Sequence, residues 1–331
     1  KFFKHTKLLN NYFSENNLYE IFDRKCSRKL DHLNIDAVYA YEGSALETFK
    51  VAKKNKIKCF YEIPLHYWVY KKHILNKFSK KKIVKKYKNY FKYDDSIKFN
   101  KRIDQEINLA DHIIVPSETI KKSLNYYPRK LDISVINYPF GKTVNRHKKK
   151  WFNGQNKLKV LFVGRLDPRK GLSYILESIS ELKKKNLLNK FDISFIGDGK
   201  LAKLIKSEFK EIHLISFLSN KKVLDKMTNS DVLLFPSLYE GYGLSAIEAM
   251  SKGLVVICNK NSGFLDVCNL KDVLLIQKLS SSEITKNLIR LSEEPKFLNK
   301  IGSNALITAN KYQVYHYKRK LLKLLGDKIF E

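Results

Sequence analysis

Between Asp231 and Cys258 two short apolar runs flank a glycine-bearing loop and a helical stretch. The first run, opening at Val232 and stopped by Pro236, is continuous rather than alternating, the pattern of a strand buried on both faces of a parallel sheet. The loop after it carries Gly241 and Gly243. The segment SAIEAMSKG then reads as a short helix closed by Gly253, and LVVIC as the next strand. Such a unit needs a parallel α/β sheet around it. Its loop leaves the carboxyl end of a strand, where open sheets of this kind bind ligands. Two carboxylates, Glu240 and Glu248, stand eight residues apart, one in the loop and one in the helix. The glycines between them allow close backbone approach to a ligand.

The same alternation extends along the chain. DAVYAYEG (36–43) reads as a strand, SALETFKVAKKNK as a helix, and IKCFYEIP as a second strand with His66 just past its end. RIDQEINLADHIIVPSETIKKSL (102–124) reads helix, strand, helix, with Ser117 as a helix N-cap. VINYPFG (135–141) is expected as one more strand and a turn, and HKKKWFNGQNK (147–157) as a linker. LKVLFVGRLDPRKGLSYILESI then opens a second series: strand 158–163, a loop with Gly164, Arg165, Lys170 and Gly171, and a helix. FDISFIGDGKL (191–201) and HLISFLSNKKVLDKMTNSDVLLFPS continue it, and KYQVYHYKRKLLKLL is strongly helical.

Together these residues resemble the retaining family-4 glycosyltransferases. E-G-Y-G-L-S-A-I-E matches their E-x7-E motif, and G-R-x-x-x-x-K-G matches the loop at 164–171. The segment 102–124 resembles the stretch that ends the first domain in that family. The resemblance implies a GT-B architecture: two doubly wound Rossmann-like α/β domains facing a cleft, the first N-terminally short. The expected boundaries are 1–148 for the acceptor-side domain, 149–311 for the nucleotide-sugar-binding domain, and 312–331 for a helix crossing back. The implied activity is sugar transfer from a nucleotide-diphosphate sugar to a glycan or lipid-linked acceptor, with retention at the anomeric carbon. Glu248 would bind the ribose hydroxyls, Glu240 would lie by the donor sugar, and backbone N–H groups around Gly241, Tyr242, Gly243 and Leu244 would meet sugar or phosphate. Gly164 and Ser117 complete the implied donor-binding set. Arg165 and Lys170 would stabilise the departing diphosphate, Arg with forked donors and Lys as a mobile point charge. For His66 two readings stand side by side: a histidine satisfied by one hydrogen bond, or one reaching the donor sugar. The sequence departs from the family where relatives show G-G-x-x-E, having Ser262 for the first glycine and Asp266 for the glutamate.

Charge and composition limit the alternatives. The formal net charge is +31, with 34 Lys and Arg against 15 Asp and Glu up to residue 150. Such an excess favours anionic partners: nucleic acid, acidic lipid or phosphorylated substrates. A nucleic-acid-binding protein fits the charge, yet no zinc-finger, RRM-like or helix-turn-helix signal is present, and no nucleic-acid partner is expected. A dinucleotide oxidoreductase fits the alternation, but no G-x-G-x-x-G follows the first visible strand of either domain. No D-x-D occurs, so neither a metal nor another cofactor is expected beside the nucleotide-sugar donor. The four cysteines show no metal spacing; Cys59 and Cys258 fall in strand patterns as buried thiols, which suits a reducing cytoplasm. No run reaches the ~20 apolar residues of a membrane span. The stretch 71–92 holds ten lysines and no acid. Its apolar residues recur at helical spacing: Ile74, Leu75, Phe78, Val84, Tyr87 and Phe91. It reads either as a basic amphipathic helix lying on an anionic membrane surface, with Ile74 and Phe78 inserting shallowly at the inner face, or as a packed helix with a solvated basic face.

Overall fold

The computed structural model describes residues 15–87, 90, 96–139, 151–312 and 314–330. The expected features that fall on residues 1–14, 91 and 140–150 lie outside the described residues. By packing, the chain divides into two units. Within the described residues the first is built from 15–68, 96–136 and 320–330, and the second from 69–87, 90, 137–139, 151–312 and 314–319.

The first unit is a four-stranded sheet, all parallel, in the order β1-β2-β3-β4. The strands are β1 (Ala37–Tyr41), β2 (Lys58–Glu62), β3 (His112–Val115) and β4 (Ile133–Val135). The strand expected at 135–141 therefore begins and ends earlier: Ile133 pairs with Ile113, and Pro139, which has no N–H to give a ladder, lies beyond it. The helix Leu46–Lys54 after β1 starts on two buried carboxylates. Glu106 accepts from the backbone N–H groups of Gly43, Ala45 and Leu46 at 2.8, 3.0 and 3.1 Å. Asp23 accepts from those of Glu47 and Thr48 at 2.7 and 2.9 Å. Arg102 bridges the two carboxylates. The donors that a helix N-terminus leaves unsatisfied are thus all engaged, by negative charge at the positive end of the helix dipole.

The second unit is a six-stranded parallel sheet in the order β10-β9-β8-β5-β6-β7. Its strands are β5 (Leu158–Val163), β6 (Phe191–Ile196), β7 (Ile212–Ile215), β8 (Val232–Phe235), β9 (Val255–Asn259) and β10 (Leu274–Ile276). The chain enters at β5, winds outward to β7, then returns to β8 on the other side of β5, with Leu161 paired to Leu233. The order reverses between β5 and β8, and their carboxyl ends form the switch point of the sheet. Apolar side chains of both sheet faces are closed over by helices, the residues of β8 and β9 being buried throughout. Cys59 and Cys258 are buried free thiols, as their strand positions predict.

The basic stretch differs from its expectation in one way and follows the packed reading in the other. It is not one helix but two, Trp68–Ser79 and Lys82–Lys85. Phe78 and Tyr87 are nine residues apart, which on one straight helix puts them about 180° apart. The break lets both turn inward, and both join the core of the second unit beside Tyr174 and Ile175 of the helix Leu172–Lys184. Ile74, Leu75, Ile83 and Tyr90 pack against the same cluster, and Lys86 pairs with Glu177 at 2.7 Å. The apolar face is therefore spent on the protein's own core, so Ile74 and Phe78 do not form an inserting surface. Lys77, Lys80, Lys81, Lys82 and Lys85 face solvent. Among the described residues no helix is long and apolar enough to cross a membrane.

Candidate active site

Three loops at the switch point of the second unit are laced together by main-chain bonds. After β5, Gly164 donates to the Ile196 carbonyl at 3.0 Å and Leu166 to that of Asp198 at 2.9 Å, which ties this loop to the one after β6. The loop ends in a short turn, Pro168–Lys170, and Gly171. Leu238, in the loop after β8, donates to the Arg169 carbonyl at 2.8 Å. Gly171 sits at φ +75°, and a Cβ there would lie 2.0 Å from the Pro236 carbonyl oxygen. The first and third loops are thus pressed together where only glycine fits.

This lacing brings two of the expected residues into contact across 70 positions of sequence. The Lys170 ammonium pairs with a Glu240 carboxylate oxygen, each side chain 14 % exposed. Ser237 donates its hydroxyl to the same oxygen at 3.3 Å. Arg165 stands at the rim, its side chain 76 % exposed and 3.7 Å from the Asp167 carboxylate. A mobile cation thus rests on a carboxylate while a second cation reaches into solvent beside it. An incoming polyanion can draw Lys170 away from Glu240 and free that carboxylate for hydrogen bonds to a ligand's hydroxyls.

The loop after β8 is held from its far side by the loop after β9. Glu240 donates its N–H to the Asn261 carbonyl at 2.9 Å, Gly263 to that of Glu240 at 3.0 Å, and Phe264 to that of Tyr242 at 2.6 Å. Asn259 and Asn261 donate their amides to the carbonyls of Ser237 and Leu238 at 3.2 and 2.9 Å. The sequence reading assigned no role to Ser237, Asn259 or Asn261. Their signal was a polar residue at the carboxyl end of a buried strand, for Asn259 and Asn261 on alternate positions. Ser262, which replaces a family glycine, is buried beside Glu240. Gly243 (φ +98°) precedes the helix Leu244–Ser251, and a Cβ there would meet the rings of Phe235 and Phe264 at 3.1–3.2 Å. Leu244 is exposed.

Glu248 lies half-buried on that helix, and burial raises its carboxyl above the usual range. The sign follows directly. A carboxyl whose folded pKa is raised binds its proton more tightly in the folded chain than in the unfolded one. Its ionised form therefore costs stability, with no cost below the unfolded pKa of about 4.3 and the full cost above the folded pKa. Glu248→Gln is expected to raise the thermal midpoint at pH 7–8, with the gain fading toward pH 4. A midpoint at pH 7–8 equal to or below that of the parent would contradict this.

His66 and Ser117 belong to the first unit. His66 is buried, 2 % exposed, four residues past β2. Ser117 caps the helix Glu118–Ser123, accepting from the Ile120 N–H at 3.3 Å. Among the described residues no three or more His, Cys, Asp or Glu side chains are grouped to hold a metal ion.

Residues 143–307 match the family described as "Glycosyl transferases group 1". A 41.2 kDa protein of the cps region of Klebsiella pneumoniae is 30 % identical over 46 % of this chain and 38 % of its own length. The chain spans less than half the length of the first such relatives. The alpha-monoglucosyldiacylglycerol synthase of Acholeplasma laidlawii is 26 % identical over 93 % of this chain and 79 % of its own. Among solved structures, Anabaena HepE in complex with UDP and glucose superposes with a TM-score of 0.68, covering 95 % of this chain and 83 % of that one at 15 % identity. The two parallel α/β sheets match GT-B structures of this kind, as the sequence implied.

Proposed function

The chain belongs to the glycosyl transferases group 1, and from that premise we propose that it moves a sugar from a nucleotide-diphosphate sugar to a glycan or lipid-linked acceptor, with retention of anomeric configuration, in cell-surface polysaccharide or glycolipid synthesis. The observation that carries this reading is the Lys170–Glu240 pair at the switch point, with Arg165 exposed beside it. A nucleotide diphosphate departs with charge building on its terminal phosphate. Arg165 and Lys170 take up that charge, Glu240 turns to the sugar, and Glu248 binds the ribose. Backbone N–H groups near Gly241, Tyr242, Gly243 and Leu244 complete the donor site, with Gly164 allowing close approach. Positive charge aimed at where negative charge develops is the largest single contribution in many active sites. The reading is tested by incubating the protein with a panel of nucleotide sugars. One donor should raise the thermal midpoint and be consumed when an acceptor extract is added, and NMR of the product should show the donor's anomeric configuration. No stabilisation by any member of the panel would sink it.

In this reading the two cations do the work that a divalent metal does in D-x-D enzymes. Turnover is expected to be unchanged in EDTA. Activity lost in EDTA and restored by Mg²⁺ or Mn²⁺ would overturn that part.

The protein is read as cytoplasmic and peripheral at the inner face of a membrane. The solvent-facing lysines of 77–85, a stretch without Asp or Glu on the second unit, support this. Because the apolar face beneath is packed, attachment is electrostatic, at about 1 kcal/mol per lysine near an anionic surface. Anionic phosphatidylglycerol vesicles should sediment the protein at low salt, and 0.5 M NaCl should release it. Changing Lys80, Lys81, Lys82 and Lys85 to Gln should weaken recovery at least tenfold. Equal recovery with neutral and anionic vesicles would refute a charge-driven surface.

A further inference from the structure

The loop Glu240–Leu244 carries only one side chain between its two functional ends, because Tyr242 is flanked by Gly241 and Gly243. Besides its main-chain bonds to the loop after β9, the loop is gripped between those ends through Tyr242 alone. Its ring is 4 % exposed. Its hydroxyl donates to the main-chain carbonyl of Tyr138 at 2.7 Å. The Tyr138 ring meets the Tyr242 ring edge to face, with centroids 5.3 Å apart and planes at 78°. Tyr317, on the helix Val314–Phe330, also meets the Tyr138 ring, at 6.2 Å and 65°. Pro139 fixes its own φ and restricts Tyr138 to extended backbone, which stiffens the anchor. Tyr138 and Tyr312 both pack on the core cluster that contains Tyr242, Phe235 and Phe264. None of these contacts is needed to build the sheet. They lie near the two ends of the second unit's longer segment, just after Asn137 and just before Arg319.

We propose that Tyr138 and Tyr317 are positioning residues for the catalytic loop: acting through Tyr242, they fix where the Glu240 carboxylate and the first N–H groups of the helix Leu244–Ser251 stand. This rests on the reading of 240–248 as the donor site. The geometry favours positioning over simple core filling for two reasons. The hydroxyl of Tyr242 bonds to a main-chain atom, which fixes direction as well as depth. Tyr138 also contacts both Tyr242 and Tyr317, which links the loop to the residues next to Asn137 and Arg319.

Hydrogen exchange followed by mass spectrometry tests this without any donor, so the result stands apart from the fate of the transfer assay. In Tyr138→Ala, amides of 240–246 should exchange about tenfold faster, the upper end of what loss of an edge-to-face ring pair gives. Peptides from β5 and β6 should be unchanged. Tyr138→Phe should restore the parent rate, since it keeps the ring and the main-chain acceptor. Tyr317→Ala should accelerate the same amides two- to threefold. Should Tyr138→Ala fail to fold, Tyr242→Phe, which removes one hydrogen bond and keeps the ring, should accelerate them two- to tenfold. Unchanged exchange at 240–246, acceleration spread evenly over the unit, or failure of Tyr138→Phe to rescue would each overturn the proposal.

Discussion

Lys170→Ala and Arg165→Ala are each expected to lower sugar transfer by about 10²–10³-fold, a barrier increase of about 3–4 kcal/mol, while the protein stays folded. The two differ in how cleanly they report. Arg165 is largely in solvent, and its ion pair with Asp167 at 3.7 Å is exposed. Such pairs contribute roughly 0–1 kcal/mol, so the thermal midpoint should scarcely move. A loss of turnover there reads directly as lost charge stabilisation. Lys170 is mostly covered and paired with Glu240. Its removal leaves that carboxylate with the Ser237 hydroxyl alone among these partners, so a small drop in midpoint accompanies the loss of turnover. Lys170→Arg separates charge from reach: it keeps the cation but replaces a compact ammonium with a planar fork that does not fit the same place. Transfer rates under saturating donor, with thermal midpoints measured alongside, check all three. Near-normal turnover in both alanine variants would remove these residues from the mechanism.

How far this site could be read in sequence depends on what each residue relies on. Strands β5, β6, β8 and β9 were legible because each is a short, mostly apolar run ended by Gly, Pro or Asn, the pattern that burial on both faces leaves. The paired roles of Lys170 and Glu240 came from motif resemblance; nothing in their spacing says that they touch. Contact arises because β5 and β8 are neighbours, with Leu161 beside Leu233, a pairing set by the reversal of strand order and not by any local preference. The partners of the Asn259 and Asn261 amides could not be read for the same reason, since they are main-chain carbonyls of another loop. The basic stretch was read correctly as helical and amphipathic. Where its apolar face goes was undecidable, because a core and a lipid surface ask for the same residues. Only the half-turn offset between Phe78 and Tyr87 hinted at a break. The short β10 escaped because three residues give no period to detect.

Gly171→Ala is expected to cost about 2–5 kcal/mol of stability and to lower turnover by an amount that stability alone does not explain. Two costs add. At φ +75° an L residue is in the left-handed region, which costs roughly 1–2 kcal/mol. The new methyl would then stand 2.0 Å from the Pro236 carbonyl oxygen, more than 1 Å inside contact distance. Neither partner is a flexible side chain end, so the backbone itself must shift, and overpacking of this kind costs roughly 1–3 kcal/mol. The shift has one direction open to it. It separates the loop that ends in Lys170 from the loop that carries Ser237 and Glu240, because Leu238 and Arg169 are bonded across the same seam. Displacement by even about 1 Å at a reacting centre can cost on the order of 10²-fold in rate. Assays run well below the lowered midpoint, where the variant is fully folded, isolate that second effect. Full turnover under those conditions would mean that the seam serves stability only, and that Lys170 and Glu240 find each other without it.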